Sequence, residues 1–600
     1  MSAGTVPWII LFAPLISAAL ILFFGKYSRT LSAGLAIGAA LLSSALSWWL
    51  FFQPGDVTPN QVAWINIRDV FTVPIGMIVD PLSRTMLVVV NTIAPLVFIY
   101  SIGYMAHEEG YWRYFAGLAL FLFSMLGIVL ANNFVMMFIF WELVGVSSYI
   151  LIGHYYGRAS AADACKQAFI VNRIGDFGFM LGILMLWYAA GSVVFGEIFA
   201  KVPLLESQTL YLNIACILVF CGAVGKSAQL PLHVWLPNSM EGPTPVSSLL
   251  HAATMVAAGV YMLARVFPLL VAAPLARDVI AWVGALTCLA AALMATQQND
   301  IKRILAYSTI SQLGYMVLGA GVAPVPDVPM FHLFTHAFFK CLLFLCAGSV
   351  IVALHHEQDI WRMGGLRGRT PLTFACLIVG TLALTGCPGF SGYFSKDLII
   401  AWAVVEKPLL GWIAVATAGL TAFYMFRLLA VVFLGPPRSE AAEHAHESPA
   451  VMVIPLILLA IPAFGAGYAR VENFFFHIEE PEHVPEALHY ALLALFLLGG
   501  GLALVLYWKP SKDPILIPLF ANRLYIDDFY NWLVRTVQDG LATLSGWADR
   551  WIVDLFVVQL PARFTWACGY VLRFLQLGNI QAYSFFFGAG VVGLIYILLA

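Results

Sequence analysis

Five segments of this chain hold ionisable side chains where an apolar sequence should not. The stretch from Cys221 to Met255, CGAVGKSAQLPLHVWLPNSMEGPTPVSSLLHAATM, carries Lys226, His233, Glu241 and His251 together with helix breakers at Pro231, Pro237, Gly242, Pro243 and Pro245. Glu142 sits in the middle of FIFWELVGVSSYILIG, too far from either end to snorkel. Arg173 and Asp176 are three apart in VNRIGDFGF and so share a helix face. His332, His336 and Lys340 recur every four residues, which sets two imidazoles and an amine on one helical stripe. Lys396 and Asp397 follow a break at Gly386-Cys-Pro-Gly-Phe-Ser-Gly. A charge at membrane depth costs roughly 3 to more than 10 kcal/mol, so such groups are kept where they carry ions or pair with one another. Broken backbone is tolerated there only where protein or a wet cavity satisfies it.

Proton transfer is the chemistry this set fits. Burial disfavours the charged form of an amine, and a nearby carboxylate favours it. At about 10 Å and an effective dielectric of about 20, one charge pair is worth roughly 1.7 kcal/mol, a little over one pKa unit. Rearranging charge near Glu142 would therefore switch Lys226 between holding and releasing a proton. His251, His336, Lys340 and Lys396 would pass charge on through water along the membrane plane, with His332 nearer a segment end. Zinc is the competing reading of His332 and His336, since two histidines four apart can bind it. Lys340 beside them and the lack of a third ligand in sequence argue against a metal. For Arg173 and Asp176 a structural ion pair competes with a relay role, and Lys396 and Asp397 either pair or face different neighbours.

The elements that must hold these groups are spanning helices. Of 600 residues 61% are hydrophobic and 10% charged, where a soluble chain is about a quarter charged. A net charge of −2 leaves no basic footprint for nucleic acid. The nine cysteines form no CxxC pair and lie mostly in apolar runs, as small buried hydrophobes do. No GxGxxG follows a strand, so redox chemistry in this chain is not expected. Val6–Phe24 lacks a basic region before it and reads as a retained helix, not a removed signal.

Sixteen segments approach the ~20 apolar residues a bilayer requires. The expected fold class is all-α and polytopic. Lys226 falls on the seventh segment and Lys396 on the twelfth, each beside a broken helix, so segments four to eight and nine to thirteen form two five-helix units. An odd number of crossings makes such units inverted. The expected organisation is N-terminal helices in 1–110 with an external hairpin near Val62, half-channels in 111–268 and 275–434, and further helices in 435–510. A lateral amphipathic helix follows in 511–580, then a transmembrane anchor in 581–600. Along Ile526 to Leu577, Phe529, Trp532, Leu533, Val537, Leu541 and Leu544 recur at helical spacing opposite Asp528, Arg535 and Asp539. This helix lacks a Lys/Arg-rich face for anionic lipid, which favours a protein partner, and Pro561 should kink it. Lysines and arginines, among them Lys26, Arg113, Arg158, Lys302, Arg303 and Arg367, crowd the loops after odd-numbered segments, and loops after even ones carry fewer, such as Arg68 and Arg277. The positive-inside rule then places both termini outside.

FWELVGVSSYILIG, NRIGDFGF, GKSAQLPLHVWLPNSMEGPTPVSSLLHAATMVAAGVY, NDIKRILAYSTISQLGYM, HAFFKCLLFLCAGSVI and GFSGYFSKD closely resemble the subunit L family of bacterial NADH:quinone oxidoreductase, counterpart of subunit five of mitochondrial complex I. The resemblance covers nearly the whole chain. It implies two inverted half-channels joined by a hydrated polar axis, with protons translocated across the bacterial inner membrane by quinone reduction elsewhere in the complex. The family's glutamate matches Glu142, its central lysine Lys226, its linking residue His251, its relay His332, His336 and Lys340, and its outlet Lys396 and Asp397. It implies no cofactor in this chain, with FMN, iron–sulfur clusters and quinone in partner subunits. The implied partners are other membrane-arm subunits, subunit M and those under the lateral helix above all. Lys396 favours L over M, whose outlet residue is typically glutamate. A membrane subunit of a related cation/proton antiporter, hydrogenase or carbon-uptake complex is the alternative, and the lateral helix argues against a transporter working alone.

Overall fold

With no water in the bilayer core, backbone N–H and C=O groups must bond within the chain, and a helix does this inside one segment. The computed structural model describes residues 4–57, 59, 61–67, 71–510, 512–576 and 578–600. Arg68 and Leu577, used in the sequence reading, lie outside them. Among the described residues fourteen helices are long and apolar enough to cross a bilayer. They become fifteen if Ala450–Gly465 and Ala469–Phe475, bent by 92°, count as one.

Each of the sixteen expected segments is helical; Val246–Phe267 is interrupted at Ala253 and Thr254, and three others differ in form. Leu372–Ala403 is two helices, Pro371–Thr385 and Ser391–Glu406, each short for a span, because Gly386 takes φ +78° and Pro388 follows. Ile301–Val322 is a full helix, but its buried Ser308, Thr309, Ser311 and Gln312 lower its hydropathy below that of a typical span. The third, Val451–Ala469, breaks at the bend after Gly465. Val62–Ile67 pairs antiparallel with Phe71–Ile75 as a hairpin.

Residues Met1–Leu524 form one compact unit. Its centre is the helix Asp327–Ala353, buried along nearly its whole length and packed by Thr244–Ala252, Ile301–Val322, Pro371–Thr385 and Ala450–Gly465. To one side, Ala159–Ala190 packs against Thr209–Lys226 through glycines. A Cβ on Gly175 would meet the Cys221 carbonyl oxygen at 2.6 Å, and one on Gly182 would meet Val219 N at 2.7 Å. Pro274–Ala295 and Ile301–Val322 repeat the device, with Gly284 against Leu318 and Gly314 against Cys288.

Residues Tyr525–Ala600 form a second unit. A long helical run from Ile526 to Leu575, entered through left-handed Arg523, Leu524 and Tyr525, provides most of it, and Ile580–Leu599 follows. At about 1.5 Å per residue the longer helix reaches roughly 75 Å, well beyond a bilayer's thickness. The helix runs on through Pro561. Gln559 and Leu560 keep helical dihedrals, and the widened π turns of Asp549–Gln559 end just before the proline. Such turns absorb a missing hydrogen bond without breaking the helix.

Candidate functional site

Thr209–Lys226 ends where its sequence runs into Leu-Pro-Leu, and Lys226 is in its last turn, where a cation complements the exposed carbonyls. Its amine faces Asp176 Oδ2 at 3.8 Å, and both side chains are 1% exposed. The glycine-lined contact between the two helices sets this separation. Gly145, on the helix Phe134–Ile152, leaves room for the amine, since a Cβ there would stand 3.0 Å from Lys226 Nζ. Asp176 Oδ1 accepts from Trp141 Nε1 at 2.7 Å. Trp141 precedes Glu142, so one helix carries both the carboxylate and the donor that orients its neighbour.

Arg173 stands between two carboxylates. It contacts Glu142, and its Nη1 lies 4.0 Å from Asp176 Oδ2. The expected Arg173–Asp176 pair is therefore the looser of the two, and the carboxylate beside Lys226 is Asp176. Unlike the Asp176–Lys226 pair, Arg173 is 41% exposed and stacks on Phe169.

His251 lies one residue from the end of Thr244–Ala252, where the backbone breaks at Ala253 and Thr254 before Met255–Arg265 begins. Its ring is flanked by Trp235 and Phe344, and its Nε2 is 3.2 Å from Ser239 Oγ. The carbonyl of Ala252, its neighbour in sequence, lies 3.3 Å from His336 Nδ1. This contact joins the His251 break to the His332–Lys340 stripe. Lys340 donates to the Leu305 carbonyl at 3.1 Å. His332 is the most fully bonded of the three, with Nδ1 2.9 Å from Ser395 Oγ and Nε2 3.1 Å from Gln312 Oε1. Ser395 adjoins Lys396, which donates to the carbonyls of Thr385 at 2.8 Å and Leu384 at 3.4 Å, the open end of Pro371–Thr385. Lys396 thus caps a helix C-terminus, while half-buried Asp397 makes no ion pair within 4 Å among the described residues.

Lys226 Nζ, His251 Nδ1 and His336 Nε2 are buried and make no hydrogen bond among the described residues. The same residues include no group of three His, Cys, Asp or Glu able to hold a metal. Sequence reasoning missed Trp141, Ser239, Gln312, Ser395 and Lys302. The hydroxyls and amide were visible as polar letters in apolar runs, but Lys302 read as a loop charge and is buried.

A helical membrane bundle with broken helices and a buried succession of carboxylate, lysine and histidine groups defines an antiporter-like ion-translocating protein. Residues 131–421 match the family model described as NADH:quinone oxidoreductase/Mrp antiporter, and residues 64–115 match the N-terminus of complex I chain 5. NAD(P)H-quinone oxidoreductase subunit 5 from the chloroplast of Zygnema circumcarinatum is 39% identical over 96% of this chain and 94% of its own. Subunit L of NADH-quinone oxidoreductase from Neisseria meningitidis serogroup A is 39% identical, covering 92% and 91%. Subunit L from Rhodobacter capsulatus is 47% identical, covering 78% and 70%. Among solved structures, the Mrp complex from Dietzia sp. matches with TM-score 0.69 and 24% identity, over all of this chain and 63% of that one. The membrane-bound sulfane sulfur reductase matches with TM-score 0.69 and 22% identity, over 83% and 99%. These two likenesses are of fold. The chain belongs to the family of subunit L, or chain 5, of the NAD(P)H-quinone oxidoreductases.

Proposed function

We propose that this chain is the distal proton-translocating membrane subunit of a NADH:quinone oxidoreductase. The redox step, with FMN, iron–sulfur clusters and quinone, belongs to partner subunits, and this chain moves protons. The observation that carries the reading is the buried Asp176–Lys226 pair beside the Glu142–Arg173 pair.

Arg173 is within reach of both carboxylates. When it rests on Glu142, Asp176 is left to hold the charge of Lys226. When it swings toward Asp176, that carboxylate is neutralised, and a buried ammonium without a counter-ion gives up its proton. The proton passes toward His251, then His336 and Lys340, and leaves by His332, Lys396 and Asp397. The unbonded nitrogens of Lys226, His251 and His336 leave each group free to bind a bridging water. The half-channels are residues 111–268 and 275–434, each containing a break beside a buried lysine, after Lys226 in the first and before Lys396 in the second.

The exposed Arg173 supports a membrane neighbour. A guanidinium flanked by exposed Ile170, Ile174 and Phe177 would be costly against acyl chains. Another antiporter-like subunit, subunit M in this reading, covers that face. The complex sits in a bacterial inner membrane with both termini outside. In proteoliposomes holding the whole complex, Lys226→Ala should lower proton pumping by about tenfold or more, the scale at which one acid–base group contributes. Near-normal pumping would overturn the reading.

A further inference from the structure

Lys302 is a buried charge that the relay above does not use. It is the second residue of the helix Ile301–Val322, just after Asp300, whose Oδ1 accepts from the backbone N–H groups of Lys302 and Arg303. The side chain turns inward and is 2% exposed. Its amine donates to the carbonyls of Met240 and Gly242, the latter at 2.7 Å.

Those carbonyls lie on either side of Glu241, at the end of the turn Ser239–Glu241 that follows the short helix Trp235–Asn238. Three groups meet at this turn. Ser239 Oγ is 3.2 Å from His251 Nε2, and Lys302 holds the turn from one side. Glu241, half-buried, accepts from Ser160 Oγ at 3.0 Å on the other. The charged groups whose fields reach Lys302 are Asp300, Glu241 and Arg303. Those reaching His251 are Lys302 and Lys340. A lysine on two carbonyls holds the turn as a cation holds any helix end, but a neutral donor would do that much. Through Ser239 the same turn also holds His251.

We propose that Lys302, Ser239 and Glu241 form a second proton inlet to His251, opening at Glu241 and separate from the Lys226 branch, with Lys302 as its positioning residue. A proton taken up at the Glu241 carboxylate passes by way of water and the Ser239 hydroxyl to His251 Nε2. The cation on Lys302 fixes the turn and sets how readily the imidazole is protonated. The second half-channel is then supplied even while Lys226 is held by Asp176. The inference rests on His251 being the link between the halves.

The test uses the whole complex in proteoliposomes and reads protons pumped per NADH against pH for Lys302→Gln, Lys302→Arg, Glu241→Gln and His251→Asn. Removing a cation beside a group that must accept a proton should move the alkaline limb of the Lys302→Gln profile upward by about one pH unit, the size of one near charge interaction. Lys302→Arg should keep the wild-type profile, and Glu241→Gln should lower pumping at alkaline pH, where proton supply limits. If Lys302→Gln fails to assemble, the arginine and Glu241 variants carry the test alone. An unshifted Lys302→Gln profile, or a Glu241→Gln profile like wild type, sinks the inlet. Normal pumping by His251→Asn instead sinks the relay reading on which it rests, so the two failures are distinct.

Discussion

At the scale of single residues, partners decide what each charge does. Asp176 has two, a tryptophan N–H at 2.7 Å and an ammonium at 3.8 Å. Asp176→Asn keeps the shape and the Trp141 bond but removes the counter-ion. Pumping should fall by about tenfold or more while NADH oxidation by detergent-solubilised complex falls far less; equal loss of both would mark a folding defect instead. Asp80 shows the same physics in a structural role. It caps the helix Pro81–Tyr104 through Ser83 and pairs with Arg265 at the far end of the His251 segment, Nη2 to Oδ1 at 3.0 Å. Burial alone would raise its carboxyl, but the Arg265 pair and the Ser83 bonds outweigh burial and hold it down at about 2. A depressed carboxylate contributes stability that is complete above its unfolded value near 3.9 and is lost as pH falls toward about 2. Asp80→Asn should therefore destabilise the complex by about 3 kcal/mol at neutral pH. The gap in thermal unfolding between variant and wild type should narrow only below about pH 4.

At the scale of elements, the site is made by close helix contacts, and these are where the sequence was least readable. Lys226, His251, His336 and Lys340 announce themselves, because an ionisable letter in an apolar run is rare and costly. That Asp176 is the partner of Lys226 could not be read, since the two are fifty positions apart and meet only through glycine-lined helices. Arg173, three residues from Asp176, looked the nearer partner, yet a neighbouring helix offered it Glu142. Lys302 was misread because the first turn of a helix and a solvated loop look alike in sequence; only the turn from another segment packed above it buries the amine. The breaks after Lys226 and after Thr385 were legible from Pro231, Gly386 and Pro388, but those at Ala253–Thr254 and after Gly465 were not. Gly175→Ala tests the contact that sets the pair. Its Cβ would press on the Cys221 carbonyl, and overpacking of this kind costs about 1–3 kcal/mol. The variant should unfold at lower temperature and pump less. Gly196→Ala, with nothing within 4 Å of its Cβ, should do neither.

At the scale of the whole chain, the division after Leu524 separates the machinery of proton movement from a part with none of it. Every candidate relay residue lies in Met1–Leu524. In Tyr525–Ala600 the apolar stripe of the long helix is open, with Trp532, Leu544, Phe556 and Phe564 all exposed. Such an area of aromatic and aliphatic surface is stable only when covered by lipid or protein. Its polar face mixes Asp528, Arg535, Asp539, Asp549 and Arg550, so it lacks the basic character that would hold it to anionic headgroups. Protein is the cover the composition favours over anionic headgroups. A chain ending at Leu524 should still insert, because among the described residues the hydrophobic core of the larger unit is built from positions up to Leu524. It should be recovered from mild detergent with fewer companion subunits. The measurement is subunit stoichiometry by mass spectrometry of the purified complex, with the full-length chain as reference. Full stoichiometry for the shortened chain would show that the long helix braces nothing and lies on lipid.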